Sequence, residues 1–387
     1  MNNKCNGMKI FGYVLICLAL AFVAACSQSS SAPPAEPPPQ TNNTGSAEGN
    51  AGNSNAGGAA FPTTLEEVAV YDRTQNYDKL IEAAKAEGAL TLYTSTPVDD
   101  IKKVTDAFTA KYGIPVTTWR SSSESVLQRV TTEAQGGVNA VDAIAIVSTD
   151  LEAMSREKLL QQVESPYHQD LVAIALPEHK EWVGTDLFSF VYAYNTNKVK
   201  AEDLPKSYED LLDPKWKGQL AVEGSDFYWL AQIVKDMGEE KGIQYFKDLV
   251  ATNGVSVRDG HSLLAELVAS GEVPLGLTVY NWKAEQMKQL GAPLDWFTID
   301  PTLTIPNGIA VSNKAPHPNA AVLFYDFLLS DGQQILADMM YAPASTKVDS
   351  AFKDLKLRLI EPIVILDEYD KWFKLWDEVI LRNASIK

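Results

Sequence analysis

Two apolar runs constrain this fold more than anything else in the chain: AVDAIAIV at 140–147 and VPLGLTVY at 273–280. Such runs, with little polar alternation, suit strands covered on both faces, as in a mostly parallel sheet flanked by helices. The neighbouring segments agree. Leu90–Tyr93 reads as a strand, Thr94-Ser95-Thr96-Pro97 breaks it, and Ile101, Val104 and Phe108 share one face of a helix from Val98 to Lys111. A strand at Pro115–Trp119 and a helix at Ser125–Gln135 complete a β-α-β-α-β order, which defines an α/β unit. A second set follows Trp182–Tyr194: strand Gly218–Val222, helices Phe227–Met237 and Glu239–Ala251, Ser262 placed to cap a helix at Leu263–Ser270, then VPLGLTVY and a helix at Lys283–Leu290. The chain is extended through Trp296–Ala310. It then turns helical at Asn319–Leu329, Asp331–Met339 and Pro362–Leu381. Trp372 and Trp376, four apart on that last helix, are expected to bury against the first α/β unit.

The N-terminal residues predict a location. Lys4 and Lys9 precede IFGYVLICLALAFVAA at 10–25, a run short for a membrane span, and Val23-Ala24-Ala25-Cys26 resembles the bacterial lipobox. The expectation is a signal peptide over 1–25, acylation of Cys26, and a protein lipid-tethered on the extracytoplasmic face of the cell membrane. Residues 26–62 carry the anchor and then a Pro-, Gly-, Ser- and Asn-rich stretch that cannot bury enough apolar surface to order itself, so they read as a linker. All three cysteines (Cys5, Cys17, Cys26) fall in the leader, which removes disulfides, thiolate metal sites and a cysteine nucleophile from the rest. The net charge of −17 disfavours nucleic acid as a partner.

A family resemblance rests on several motifs in order. The segment Tyr208–Gly218, YEDLLDPKWKG, resembles a signature of family 1 extracellular solute-binding proteins, the substrate-binding components of ABC importers. GALTLY at 88–93, YAYNT ending at Thr196, ASGEVPLG at 269–276, IPNGIAV at 305–311 and HPNAAVLFYDFLLSDGQQ after it add to the match. The branch most resembled holds ferric-iron, 2-aminoethylphosphonate and thiamine binders. The resemblance implies a type II periplasmic-binding fold, two α/β lobes joined by two extended crossovers. Lobe one would comprise 63–188 and 310–387, lobe two 196–297, and the hinge crossovers 189–195 and 298–309. It further implies a monomer that passes a small-molecule solute to ABC permease and ATPase subunits. No enzymatic motif is present: no G-x-S-x-G elbow, H-E-x-x-H, Walker loop or dinucleotide fingerprint. No cofactor is expected.

Ligands of such folds sit beyond the carboxyl ends of sheet strands, so the strand-to-helix turns nominate the site. They supply Ser95, Thr96, Ser122, Ser148, Ser225, Asp226, Tyr228, Tyr280, Asn281 and Trp282. Hydroxyls and free amides at helix starts suit an anionic group, and Tyr228, Tyr280 and Trp282 can pack on an organic body. Asp226 conflicts with a pure anion, so a zwitterion such as an aminophosphonate is the first expectation. The alternative is ferric iron or an iron complex, with Tyr280 the metal ligand. Ferric members place two adjacent tyrosines at the position of Tyr280-Asn281. Here the second is Asn; Thr96-Pro97 stands where many have a His, and Val147-Ser148 where many have a carboxylate, with Asp150 close by. Tyr341 is a further oxygen donor that the sequence does not locate, and His261 is the one histidine beside a cleft turn. Two readings of another class, a sensory lipoprotein and a lipid-anchored hydrolase, stay open from sequence alone.

Overall fold

The computed structural model describes residues 61–384, so the expected signal peptide, Cys26 and all but the last two residues of the expected linker lie outside the described residues. Two helices open the described chain, α1 Leu65–Val70 and α2 Tyr77–Glu87. Thr64 caps α1 by accepting the Glu67 amide, and Gly88, at a φ of 76°, closes α2 in the left-handed conformation that favours glycine. Strands and helices then alternate: β1 Leu90–Thr94, α3 Val98–Tyr112, β2 Val116–Arg120, α4 Ser123–Gln135, β3 Ala143–Val147, α5 Ser148–Arg156 and β4 Leu160–Gln161. A 13-residue strand, β5 Val183–Asn195, is buried along its whole length. After it come β6 Leu220–Glu223, α6 Phe227–Met237, α7 Glu239–Asn253, β7 Ser256–Arg258, α8 His261–Ser270, β8 Leu275–Tyr280, α9 Asn281–Gln289 and β9 Leu294–Phe297. The last part holds β10 Thr302–Ser312, α10 Pro318–Leu329, α11 Asp331–Asp338, β11 Leu357–Leu359, α12 Pro362–Asp367 and α13 Tyr369–Val379.

The strands join in the order β2-β1-β3-β10-β5-β8-β6-β7. β2-β1-β3 and β8-β6-β7 are parallel, as the two apolar runs predict, while β10 and β5 run antiparallel between them. This is the type II periplasmic-binding architecture of two α/β lobes joined by extended crossovers. β5 changes partner midway: Ser189 sits opposite Thr304 of β10, and the next residue, Phe190, opposite Tyr280 of β8. The return passes between Phe297, paired with Tyr192, and Thr302, where β10 begins.

In the first lobe α10 is the central core helix, with every residue from Asn319 to Leu329 buried. Its Asp326 forms a buried pair with Arg73: Nε donates to Oδ2 at 2.9 Å and Nη2 to Oδ1 at 3.2 Å, while Nη1 donates to the Val68 carbonyl at 3.0 Å. Arg73 thus pins the α1–α2 connection onto the core, with its charge met by a carboxylate and backbone oxygens, as a buried guanidinium requires.

Four local expectations are corrected. α8 begins at His261 behind Gly260 at a φ of 105°, without a side-chain cap, so Ser262 is not its cap. α9 begins at Asn281, two residues early, which puts Asn281 and Trp282 in its first turn. The tail is two helices, not one, with the break at Glu368. Trp372 and Trp376 are fully buried, but their partners are in the second lobe: the Trp376 indole donates to the Gly224 carbonyl at 2.8 Å, and Lys235 of α6 lies 5.6 Å from the Trp372 ring. Glu368 accepts from both Lys235 and the Trp372 indole, which holds the break in place.

Candidate functional site

The ends of β6 and β8 and the first turns of α6, α8 and α9 converge in the second lobe. β6 ends in Glu223, whose carboxylate is spent locally: Oε2 accepts the Ser225 amide at 2.7 Å and the Ser225 hydroxyl at 2.6 Å, and Oε1 accepts the Gly260 amide at 3.0 Å. That clamp ties the β6–α6 turn to the β7–α8 turn. Asp226, fully buried, meets the His261 Nε2 through Oδ1 at 3.0 Å, while its Oδ2 has no partner. The His261 ring lies flat on Tyr280, 3.8 Å between centroids and 11° between planes. The Tyr280 hydroxyl is 3.3 Å from that of Tyr228 on α6. Two phenol oxygens, a carboxylate oxygen without a partner and an imidazole therefore share one small volume.

Aromatic rings continue from this cluster across the crossover. Phe188 of β5 lies 4.7 Å from Tyr280 and 6.0 Å from Trp282. Trp282 stacks on Tyr341 of the first lobe at 4.7 Å and 13°, and Tyr341 donates to Asp100 of α3 at 2.9 Å. Gln286 of α9 adds a second link between the lobes by donating to the Met339 carbonyl at 2.8 Å. These contacts link the two lobes beside the crossover.

The electrostatics are those of an acidic cleft. Burial, and the carboxylates of Asp226, Glu223 and Asp150, push the Tyr280 phenol well above its ordinary range; burial and the neighbouring Tyr280 and Asp226 do the same to Tyr228. Asp150, in the first turn of α5, is pushed up to about 7 by burial and by Glu124. Burial raises the Asp226 carboxyl, with His261 pulling back. Burial alone would lower the His261 imidazole, but the Asp226 carboxylate outweighs it and raises it.

The nominated residues divide. Ser225, Asp226, Tyr228 and Tyr280 come together in the cluster. Asn281 and Trp282 adjoin it, but the Asn281 Oδ1 accepts the Ser189 amide of the crossover at 3.0 Å, leaving only its buried Nδ2 without a partner. The Trp282 indole nitrogen is likewise buried and unpartnered. Ser95, Thr96 and Ser122 bond within the first lobe: Ser95 donates its amide to Ala145, Thr96 its amide to the Thr94 hydroxyl, and Ser122 caps α4. Ser148 is fully buried at the start of α5 with its hydroxyl unpartnered. Sequence reasoning missed Glu223. The available signal was its place as the last residue of a buried strand before a cleft turn.

The match to known proteins follows this geometry. Residues 149–360, more than half of the chain, match the model of the bacterial extracellular solute-binding protein family. The chain belongs to that family. It is a solute-binding protein of the ABC-importer type, which captures a small solute outside the cytoplasm for a permease, and not an enzyme. No helix among the described residues is long and apolar enough to cross a membrane. Among relatives of this solute-binding protein is the iron uptake protein A1 of Synechocystis sp., 26% identical over 273 residues, covering 65% of this chain and 74% of the relative. Its fold matches iron-bound HitA of Pseudomonas aeruginosa with a TM-score of 0.67 at 23% identity, over 75% of this chain and 99% of that one. It also matches AfuA of Actinobacillus pleuropneumoniae with fructose-6-phosphate bound, TM-score 0.68 at 22% identity, over 76% and 98%.

Proposed function

We propose that this solute-binding protein takes up ferric iron, with Tyr228 and Tyr280 as phenolate ligands, the carboxylates of Asp226 and, from the other lobe, Asp150 completing the charge, and the His261 imidazole beside them. The observation that carries this reading is the pair of buried phenol oxygens 3.3 Å apart amid carboxylates. Ferric iron is a hard cation suited to oxygen donors. A small cation that holds oxygens at about 2.0–2.1 Å sets neighbouring donors about 2.9 Å apart, close to the spacing seen. The iron uptake relative in Synechocystis and the iron-bound HitA fold support the choice. Asn281 does not supply the second tyrosine of the ferric pattern, and Tyr228 brings that phenol from α6 instead. Of the two ligand classes the sequence allows, a zwitterion would have its amine matched by Asp226, while its anionic group would meet Asp150 and Glu223 around Tyr280. The sugar phosphate in AfuA is the precedent for that second class.

The protein works as a monomer tethered through acylated Cys26, with residues 27–62 as its leash, and closes the two lobes about hinge segments 189–195 and 298–309. Two experiments test this function. Titration of the full chain with ferric nitrilotriacetate should produce a visible phenolate-to-iron charge-transfer band that Tyr228→Phe and Tyr280→Phe each weaken or abolish. A protein without such a band, whose melting point rises with 2-aminoethylphosphonate or a sugar phosphate, sinks the iron reading. For the tether, mass spectrometry of the native protein should find Cys26 as an acylated N-terminus, and Cys26→Ala should stay unprocessed or leave the membrane.

A further inference from the structure

The C-terminal segment touches both lobes within a few residues. α12 lies on α5 of the first lobe, where Arg156 Nη1 sits 2.8 Å from Asp367 Oδ1 and Arg156 Nη2 donates to the Ile363 carbonyl at 3.2 Å. Ile365 of the same helix is buried. One residue later the chain is on the second lobe. Glu368 pairs with Lys235 of α6 at 2.6 Å, and Lys371 with Glu239 of α7 at 2.6 Å. Phe227 meets Tyr369 edge-on at 5.0 Å. The Trp376 bond to Gly224 reaches the turn that carries Glu223, Ser225 and Asp226. Tyr369 also feels the charges of Glu124 and Asp150 on the first-lobe side. The match to the family model ends at residue 360, just before α12 begins at Pro362.

We propose that residues 362–379 form a strap that ties the two lobes together beside the cleft, so that opening requires α12 to come away from α5. The two ends of the strap are unequal. α13 is rooted by two fully buried tryptophans, whereas the Arg156–Asp367 pair is exposed at 37% and 61%, and exposed ion pairs hold weakly. The α12 end is therefore the one that releases. The strap also explains why a continuous apolar pattern over 362–381 yields two helices: its halves are anchored on bodies that move relative to each other, and Glu368 is the joint. The proposal does not depend on which solute the cleft takes.

The test measures the distance between lobes without any ligand. Nitroxide labels are placed at Lys102→Cys on α3 and Lys247→Cys on α7, in the full chain with Cys5→Ala, Cys17→Ala and Cys26→Ala, purified in detergent. Double electron–electron resonance should give a narrow distribution in this parent. Arg156→Ala, and more strongly Ile365→Asp, should shift it to longer distances and broaden it. Arg156→Ala alters an exposed side chain and keeps the test sound even where Ile365→Asp perturbs folding. An unchanged distribution in Arg156→Ala and Ile365→Asp overturns the strap, as does a parent already as broad as its variants.

Discussion

Iron capture by two buried phenols must release protons, and the number can be counted. Burial keeps Tyr228 and Tyr280 protonated throughout the accessible pH range. A ferric ion bound to both oxygens displaces two protons, because phenolate, not phenol, is the ligand. Each proton released contributes one unit of slope to log K against pH, and one such unit is worth about 1.36 kcal/mol. From the phenols alone, affinity should therefore rise about a hundredfold, roughly 2.7 kcal/mol, for each pH unit. Asp150, pushed up to about 7, and the His261–Asp226 pair release protons of their own on metal binding, so the phenols are counted by difference, as the slope that each Tyr→Phe variant loses. The assay is competition against nitrilotriacetate, corrected for that chelator's protonation and followed by the charge-transfer band. A slope of at least two, falling by about one in Tyr280→Phe, is expected. A slope near zero, or one that Tyr280→Phe leaves unchanged, refutes the two-phenolate site.

Three further outcomes concern stability. Arg73→Ala should lower unfolding free energy by about 3–5 kcal/mol in urea denaturation, because it strands the Asp326 carboxylate in the core. Gly308→Ala drives a Cβ into the Val183 carbonyl oxygen at the β5–β10 register shift and should cost about 1–3 kcal/mol, seen as a lower urea midpoint with an unchanged slope. Asp186 is held by Thr185 and Asn307, and burial pushes its carboxyl up to about 7 from 3.8. A raised folded value means the native state binds the extra proton, so this contribution is full below about 4 and is lost as pH rises through about 7. Asp186→Asn should thus stabilise the protein relative to wild type at pH 8 by roughly 2–4 kcal/mol more than at pH 4, measured by urea denaturation at both.

The fold was legible where local pattern and tertiary role agree. AVDAIAIV and VPLGLTVY became β3 and β8, buried as their composition requires, and α6 has the bounds read from its apolar periodicity. What escaped depends on contacts that sequence spacing does not encode. The apolar stripe over 362–381 is continuous, so nothing local marks Glu368 as a break or says that the tryptophans face α6. Ser262 looked like a cap because serine is a good one, but Glu223 binds the Gly260 amide from another strand and sets the start of α8. The candidate site was partly visible. Strand-end turns nominated Asp226, Tyr228 and Tyr280, and the structure brings their side chains together. The weight of Asp150, Glu223 and His261 around them is a product of three separate turns meeting.

One passage between the lobes, β5, is a single unbroken strand that pairs in both lobes, and the return is only a short link at 298–301 between β9 and β10. The joint therefore behaves as a torsion spring: the lobes part by changing the twist of β5 and β10, and every degree of rotation strains ladder bonds. Rotation should concentrate where the ladder already slips, at Asn307/Gly308 and Val191/Ala193. A transporter that docks on both lobes would then read an angle set by elastic restoring force, and solute occupancy would register as a small, reproducible rotation instead of a collapse from a floppy open state.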